Sequence, residues 1–193
     1  MKTWLLLLQG GGKGAYEADR KLAENLRMHL GEEMEVVYPQ MPDEDRPDYR
    51  AWRDRVAGIL MSRGGRAIWA GHSLGASFLL KYLSEEEPPT PPAGVFLIAP
   101  PYWGAEGWEV EEYRLCEGSE RKLTGYRPIV FYHSRDDKIV PCSHLALYAG
   151  KLPHAHTREF MDRGHQFTGN LSEVADDIRL LVLEEQRGSA RPI

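Results

Sequence analysis

The stretch from Ala67 to Tyr82 constrains this chain more than any other. A short apolar run ends at Gly71, Ser73 follows two residues later, and a helical apolar pattern starts at once. It reads as strand, sharp turn and helix, with Gly71, Ser73 and Gly75 filling Gly-x-Ser-x-Gly. The pattern has a steric reason. A serine hydroxyl lifted to the top of a parallel sheet sits in a strained turn, and a side chain on either flank would collide with the adjoining strand or helix. Glycines relieve that crowding. The new helix also turns its unpaired N–H groups and positive dipole end towards the serine, where an oxyanion would form. On this stretch alone, an ordinary βα turn with Ser73 as the helix N-cap reads the same way.

The rest of the chain supplies the setting. Trp4 to Leu8 is apolar throughout, as a central strand covered on both faces must be. Gln9-Gly10-Gly11-Gly12-Lys13-Gly14 follows as a glycine-rich loop. A helical pattern then carries Ala15, Leu22, Ala23, Leu26 and Leu30 on one face and stops at Gly31. Further strands are expected at Glu35 to Tyr38, Gly94 to Ala99, Pro128 to His133 and Thr157 to Met161, the last more polar and at an edge. Helices are expected at about Asp48 to Met61, after Ser73, at Ser143 to Lys151 and at Leu171 to Glu185. Strands alternating with helices give a doubly wound α/β architecture, with a mostly parallel sheet of about six strands and helices on both faces. Sites in such sheets form beyond the carboxyl ends of the strands.

The 193 residues suit one domain spanning 1–193, with a short irregular insertion at 102–127 near the site and a loose tail at 188–193. A hydrophobic content of 42% supports a sizeable core, and a net charge of −5 without a basic stripe leaves nucleic-acid binding no electrostatic footprint. The opening apolar run is too short for a signal-peptide core and ends in Gln9 and three glycines, so a buried strand is expected instead of a leader. No run reaches membrane-spanning length. Two cysteines, Cys116 and Cys142, do not make a disulfide framework, which points to a reducing, cytoplasmic setting.

A serine hydroxyl is a weak nucleophile until a base takes its proton and a third group orients the base. Of seven histidines, His165 fits the base: it follows the last strand, after Gly164, and precedes the final helix. His133 and His144 flank an acidic loop, His154 and His156 form a surface pair, and His29 lies in a helix. His72 adjoins Ser73, but its side chain is expected to point away and pack against neighbouring loops. The acid is expected after the penultimate strand. Asp136 and Asp137 both stand there, and Asp137, in Asp-Lys-Ile-Val-Pro, is the better placed to aim across at His165. Asp136 would then bond the turn backbone. The order Ser73, Asp137, His165 is the one expected on such a sheet. Oxyanion donors are expected at the N–H of Leu74 and in the loop after the first strand, at Gly11 with Gly12 close behind. The glycine spacing matches neither the dinucleotide nor the P-loop fingerprint. A metal site on His154-x-His156 lacks an acidic third ligand of suitable spacing.

These motifs, Gly71-His72-Ser73-Leu74-Gly75-Ala76, Asp137-Lys138-Ile139-Val140-Pro141 and Gly164-His165, resemble those of the α/β-hydrolases. The nearest resemblance is to the small, lidless serine hydrolases of the retinoblastoma-binding-protein-nine and dienelactone-hydrolase-like kind. It implies a core without the usual first two antiparallel strands, with Ser73 as nucleophile, Asp137 as acid and His165 as base, and needing neither metal nor cofactor. It also implies hydrolysis of a small-molecule ester through an acyl-serine intermediate. The aromatic side chains of Tyr102, Trp103 and Trp108 are expected to wall a pocket for small or medium acyl groups. One departure stands out: the usual His-Gly after the first strand is Gln9-Gly10 here.

Overall fold

The computed structural model describes residues 3–189, with side chains through 187. Six strands form one sheet: β1 (Trp4–Leu8), β2 (Glu35–Val37), β3 (Ala67–His72), β4 (Val95–Ile98), β5 (Ile129–Ser134) and β6 (His156–Phe160). They pair in the order β2-β1-β3-β4-β5-β6, every pair parallel. The connecting helices are α1 (Ala15–Leu30), α2 (Tyr49–Arg63), α3 (Leu74–Glu85), α4 (Ser119–Leu123), α5 (Ser143–Lys151) and α6 (Ser172–Ser189).

The continuous apolar runs are explained by the two faces they serve. Along β1, Trp4, Leu6 and Leu8 enter the core shared with Trp52 and Val56 of α2, Phe78 of α3 and Tyr148 of α5. Leu5 and Leu7 enter the opposite core, with Leu22 and Leu26 of α1 and Val174 and Ile178 of α6. Alternation along a strand thus feeds two layers, and neither layer leaves room for a polar position. The edge strand β6 is the exception expected of it, with four of its five residues exposed.

Two stretches of the chain can be described more closely. The 102–127 segment is not wholly irregular, because it holds a 3-10 turn at Glu111–Tyr113 and the short helix α4. Its buried Tyr113 and Leu123 belong to the core, which orders the segment. At the other end, α6 runs to Ser189, two residues into the stretch expected to be loose, with no proline to stop it before Pro192. Residues 190–193 lie outside the described residues. No described helix is long and apolar enough to cross a membrane.

Candidate active site

The turn between β3 and α3 has the strain that its sequence foretells. Ser73 stands at φ 51°, ψ −120°, and its side chain makes no capping bond to α3. A non-glycine residue held at positive φ costs on the order of 1–3 kcal/mol, so the surroundings have to impose it. They do. The Ser73 N–H is pinned to the carbonyl of Ile98 at the end of β4, 2.8 Å away. A Cβ at Gly71 would lie 2.6 Å from the Gly75 carbonyl carbon, and one at Gly75 would press on Gln9 O and lie 2.8 Å from Leu8 O. Only glycine lets the strand, the turn and β1 come this close.

Three sheet-end loops converge on this turn. In the loop after β5, Asp137 Oδ1 accepts the N–H groups of Ile139 and Val140, at 2.8 and 2.9 Å. Its Oδ2 accepts from His165 Nδ1 at 2.7 Å and lies 3.4 Å from His133 Nε2. Burial would raise the Asp137 pKa, but the bonds from His133, His165 and the turn amides hold it well below the usual carboxylate range. Asp136 does a different job. It accepts from Ser134 Oγ at 2.5 Å and from the Gly164 N–H at 2.8 Å, tying the β5 loop to the loop that carries His165.

His165 itself is held with its ordinary basicity reduced. Burial lowers its pKa, the bond to Asp137 pushes it back up, and the nearby His72 lowers it again. Ser73 is not hydrogen-bonded to His165 or Asp137 among the described residues. It meets them through its neighbour. The buried His72 ring places Nδ1 2.8 Å from Asp19 Oδ2 and Nε2 2.9 Å from the main-chain carbonyl of His165. Its side chain packs against the neighbouring loop that carries His165.

The glycine-rich loop closes the other side. A Cβ at Gly10 would lie 3.3 Å from Ser73 Cβ, and one at Gly11 would lie 2.5 Å from Leu74 Cδ2, so this loop lies against the turn. The Gly10 N–H is taken by Asp19 Oδ2 at 2.7 Å and the Gly12 N–H by the Glu44 carbonyl at 2.6 Å. The N–H groups of Gly11 and Leu74 have no protein acceptor among the described residues. Glu44 also covers the start of α1, accepting from Gly14 at 2.8 Å and Tyr16 at 2.7 Å. A carboxylate therefore occupies the helix N-terminus that a phosphate would use. The Gln9 substitution has a local account: its fully buried amide accepts from Met41 N–H and donates to Glu44, bracing the same loop.

The three aromatic residues are packed more tightly than an open wall. Trp103 donates from Nε1 to Ser77 Oγ at 2.8 Å, one helical turn beyond Ser73, and packs edge-on against Trp108. The Tyr102 N–H is received by His144 Nδ1, and Trp108 meets the same imidazole edge-on. Tyr102 and Trp103 line a cavity of about 650 Å³ with Tyr113, Tyr148, Lys81 and Arg114; Trp108 does not line it, nor do Ser73, Asp137 or His165.

The contacts of Asp19, His133 and Glu44 with this site escaped the sequence reading. Only Asp19 left a signal: it sits between Ala15 and Leu22 on the apolar face of α1, where a carboxylate needs a buried partner.

The chain superposes on solved structures of hydrolase fold. The ydeN gene product of B. subtilis matches with a TM-score of 0.77 at 18% identity, over 94% of this chain and 99% of that one. Est1E from Butyrivibrio proteoclasticus matches at 0.67 and 12%, over 96% and 88%. A putative hydrolase of the alpha/beta superfamily from Xanthomonas campestris pv. campestris matches at 0.62 and 20%, over 96% and 99%. No curated protein matches the sequence. The serine hydrolase family model matches residues 23–167, a span that runs from α1 through the β3–α3 turn to His165, and the chain belongs to that family.

Proposed function

We propose that this protein hydrolyses carboxylic esters of small or medium acyl groups through an acyl-Ser73 intermediate. The observation that carries the reading is the 2.7 Å bond between Asp137 and His165 Nδ1 beside a strained, uncapped Ser73. With Nδ1 committed to Asp137, Nε2 is the ring atom available to the Ser73 hydroxyl. Such contacts often tighten only when substrate is bound.

In the first half-reaction, Ser73 Oγ attacks the ester carbonyl carbon while its proton passes to His165 Nε2. Asp137 keeps the imidazole in the right tautomer and stabilises the imidazolium. The carbonyl electron pair moves onto oxygen, towards the two N–H groups left without protein acceptors, those of Leu74 and Gly11. Collapse breaks the bond to the alcohol oxygen, which takes the proton from His165. Water then repeats the sequence on the acyl-enzyme: His165 takes its proton, and Ser73 recovers it as the acid departs. Apart from the ester and the attacking water, the steps use groups of the chain itself.

A fluorophosphonate probe tests this directly. Wild-type protein is expected to take the label at Ser73, and the Ser73→Ala and His165→Ala variants to take none. Fresh, unlabelled wild-type protein is then offered p-nitrophenyl esters and acyl thioesters side by side, with the esters expected to turn over faster. A folded wild type that takes no label ends the catalytic reading in favour of a binding protein on the same fold.

A further inference from the structure

The buried pair behind the turn is unusual in its hydrogen-bond count. Both ring nitrogens of His72 face acceptors: a carboxylate oxygen of Asp19 and the main-chain carbonyl of His165. A neutral imidazole offers one donor, and an imidazolium offers two. The same Asp19 oxygen also accepts the Gly10 N–H, so it is receiving bonds and not giving one. Ring and carboxylate are both 2% exposed, which makes an unpaired lone pair or proton costly here. The two rings, His72 and His165, are 4.8 Å apart between centroids.

From this donor count and packing, we infer that His72 is a positioning residue, held by Asp19 as a buried imidazolium, that anchors the His165 main chain and disfavours protonation of the His165 ring. The inference rests on the reading of His165 as general base. The ionisable groups facing His165 are His72 from β3, Asp19 from α1 and Asp137 from the loop after β5. Those facing His72 are Asp19, His165 and, farther off, Asp137.

The energetics agree with the geometry. Burial alone would lower the His72 pKa, but the charge and hydrogen bond of Asp19 outweigh it and raise it. Burial would raise the Asp19 pKa, and His72 with the Gly10 N–H brings it down instead. A cation at this distance keeps the neighbouring base unprotonated at lower pH. Asp19 tempers that effect from the far side of His72.

Asp19→Asn separates charge from anchoring. An amide at 19 can donate to Nδ1 of a neutral His72 and leave the Nε2–H bond to the His165 carbonyl in place, at the loss of the bond that the shared oxygen accepts from the Gly10 N–H. The first measurement is side-chain ¹⁵N NMR of the histidines in wild-type protein, which needs neither substrate nor variant. His72 is expected to keep two protonated nitrogens at a pH where a free imidazole has already lost one, as a raised pKa requires. The second follows His165 by the same method, together with the acid limb of kcat/KM on p-nitrophenyl acetate. In Asp19→Asn both are expected to move to higher pH, and the plateau is expected to fall by far less than the 10²–10⁴-fold that loss of a general base costs.

A His72 that loses a proton with an ordinary pKa overturns the inference, as does an unmoved His165 titration in folded Asp19→Asn. A purely structural pair would lower the plateau without moving the limb. If Ser73 takes no fluorophosphonate while the NMR signature holds, the esterase reading fails and the imidazolium stands.

Discussion

The main-chain carbonyl of Glu44 accepts the N–H of Gly12 at 2.6 Å, and this bond decides which glycine of the loop keeps a free donor. With Gly10 bound to Asp19 and Gly14 to Glu44, only Gly11 remains to face Ser73 from this side. A methyl at position 11 would lie 2.5 Å from Leu74 Cδ2 and 3.2 Å from Pro47 Cγ. Gly11→Ala therefore has to displace the loop from Leu74, the residue expected to give the other donor. The expected outcome is a fall in kcat of about 10²-fold with little change in KM, the signature of an interaction made only in the transition state. Steady-state kinetics on one activated ester separate this from a folding defect. Full activity in the variant would remove Gly11 from the site.

Asp137→Asn addresses the orienting carboxylate. The asparagine fills the same space but presents an amide to His165 Nδ1, or forces the imidazole into the other tautomer. A loss of about 10⁴-fold in kcat is expected at neutral pH, the cost known for such a swap in serine proteases. Asp136→Asn is the control. Its carboxylate bonds Ser134 and Gly164, so its loss acts through loop alignment and should cost far less. Equal losses in the two variants would contradict the assignment of Asp137.

Acid stability follows from the carboxylates. Asp19, Glu44 and Asp137 all have folded pKa values below their usual ones. A depressed carboxylate adds stability that is present above its unfolded pKa, about 4, and is lost as pH falls through the folded value. His72 works in the opposite sense, since its raised pKa adds stability below about pH 6.5 that fades as pH rises. His144 and His165, both lowered, offset it in that window. Urea midpoints are therefore expected to change little between pH 5 and 8 and to drop steeply below about pH 4. A drop centred near pH 6 would mean that the histidines dominate instead.

Much of this architecture was legible because its causes are local. The apolar runs of β1, β3, β4 and β5 and the α1 stripe report burial on two faces. Gly71 and Gly75 report a steric demand that no other residue meets. What escaped depends on residues far apart in sequence. Nothing near Glu44 in its acidic loop says that it will cap α1, thirty residues away in the fold's first turn. The Trp103–Ser77 bond joins a loop to a helix interior in the same way. Asp19 lies between these cases. Its place on an apolar stripe announces a buried partner, but only the packed structure says that the partner is His72.

Trp103 gives the test of acyl specificity. Its indole is fixed by Ser77, whose own hydroxyl donates to the Leu74 carbonyl at 3.1 Å, so the ring is tied to the first turn of α3 beside the nucleophile. Tyr113 and Trp108 hold it from the other sides. A ring braced on three sides makes a rigid boundary, and a rigid boundary discriminates by chain length at roughly 1–3 kcal/mol per misfit methylene. Trp103→Ala opens space on the side of the 650 Å³ cavity that this ring lines. Across p-nitrophenyl esters from acetate to octanoate, the optimum is expected to move to longer chains, with acetate kcat/KM falling as its contacts are lost. Trp103→Phe keeps the ring bulk but loses the Ser77 bond, and should hold the short-chain preference with lower stability. If the chain-length profile of Trp103→Ala matches that of wild type, the acyl group lies elsewhere and the indole serves packing alone.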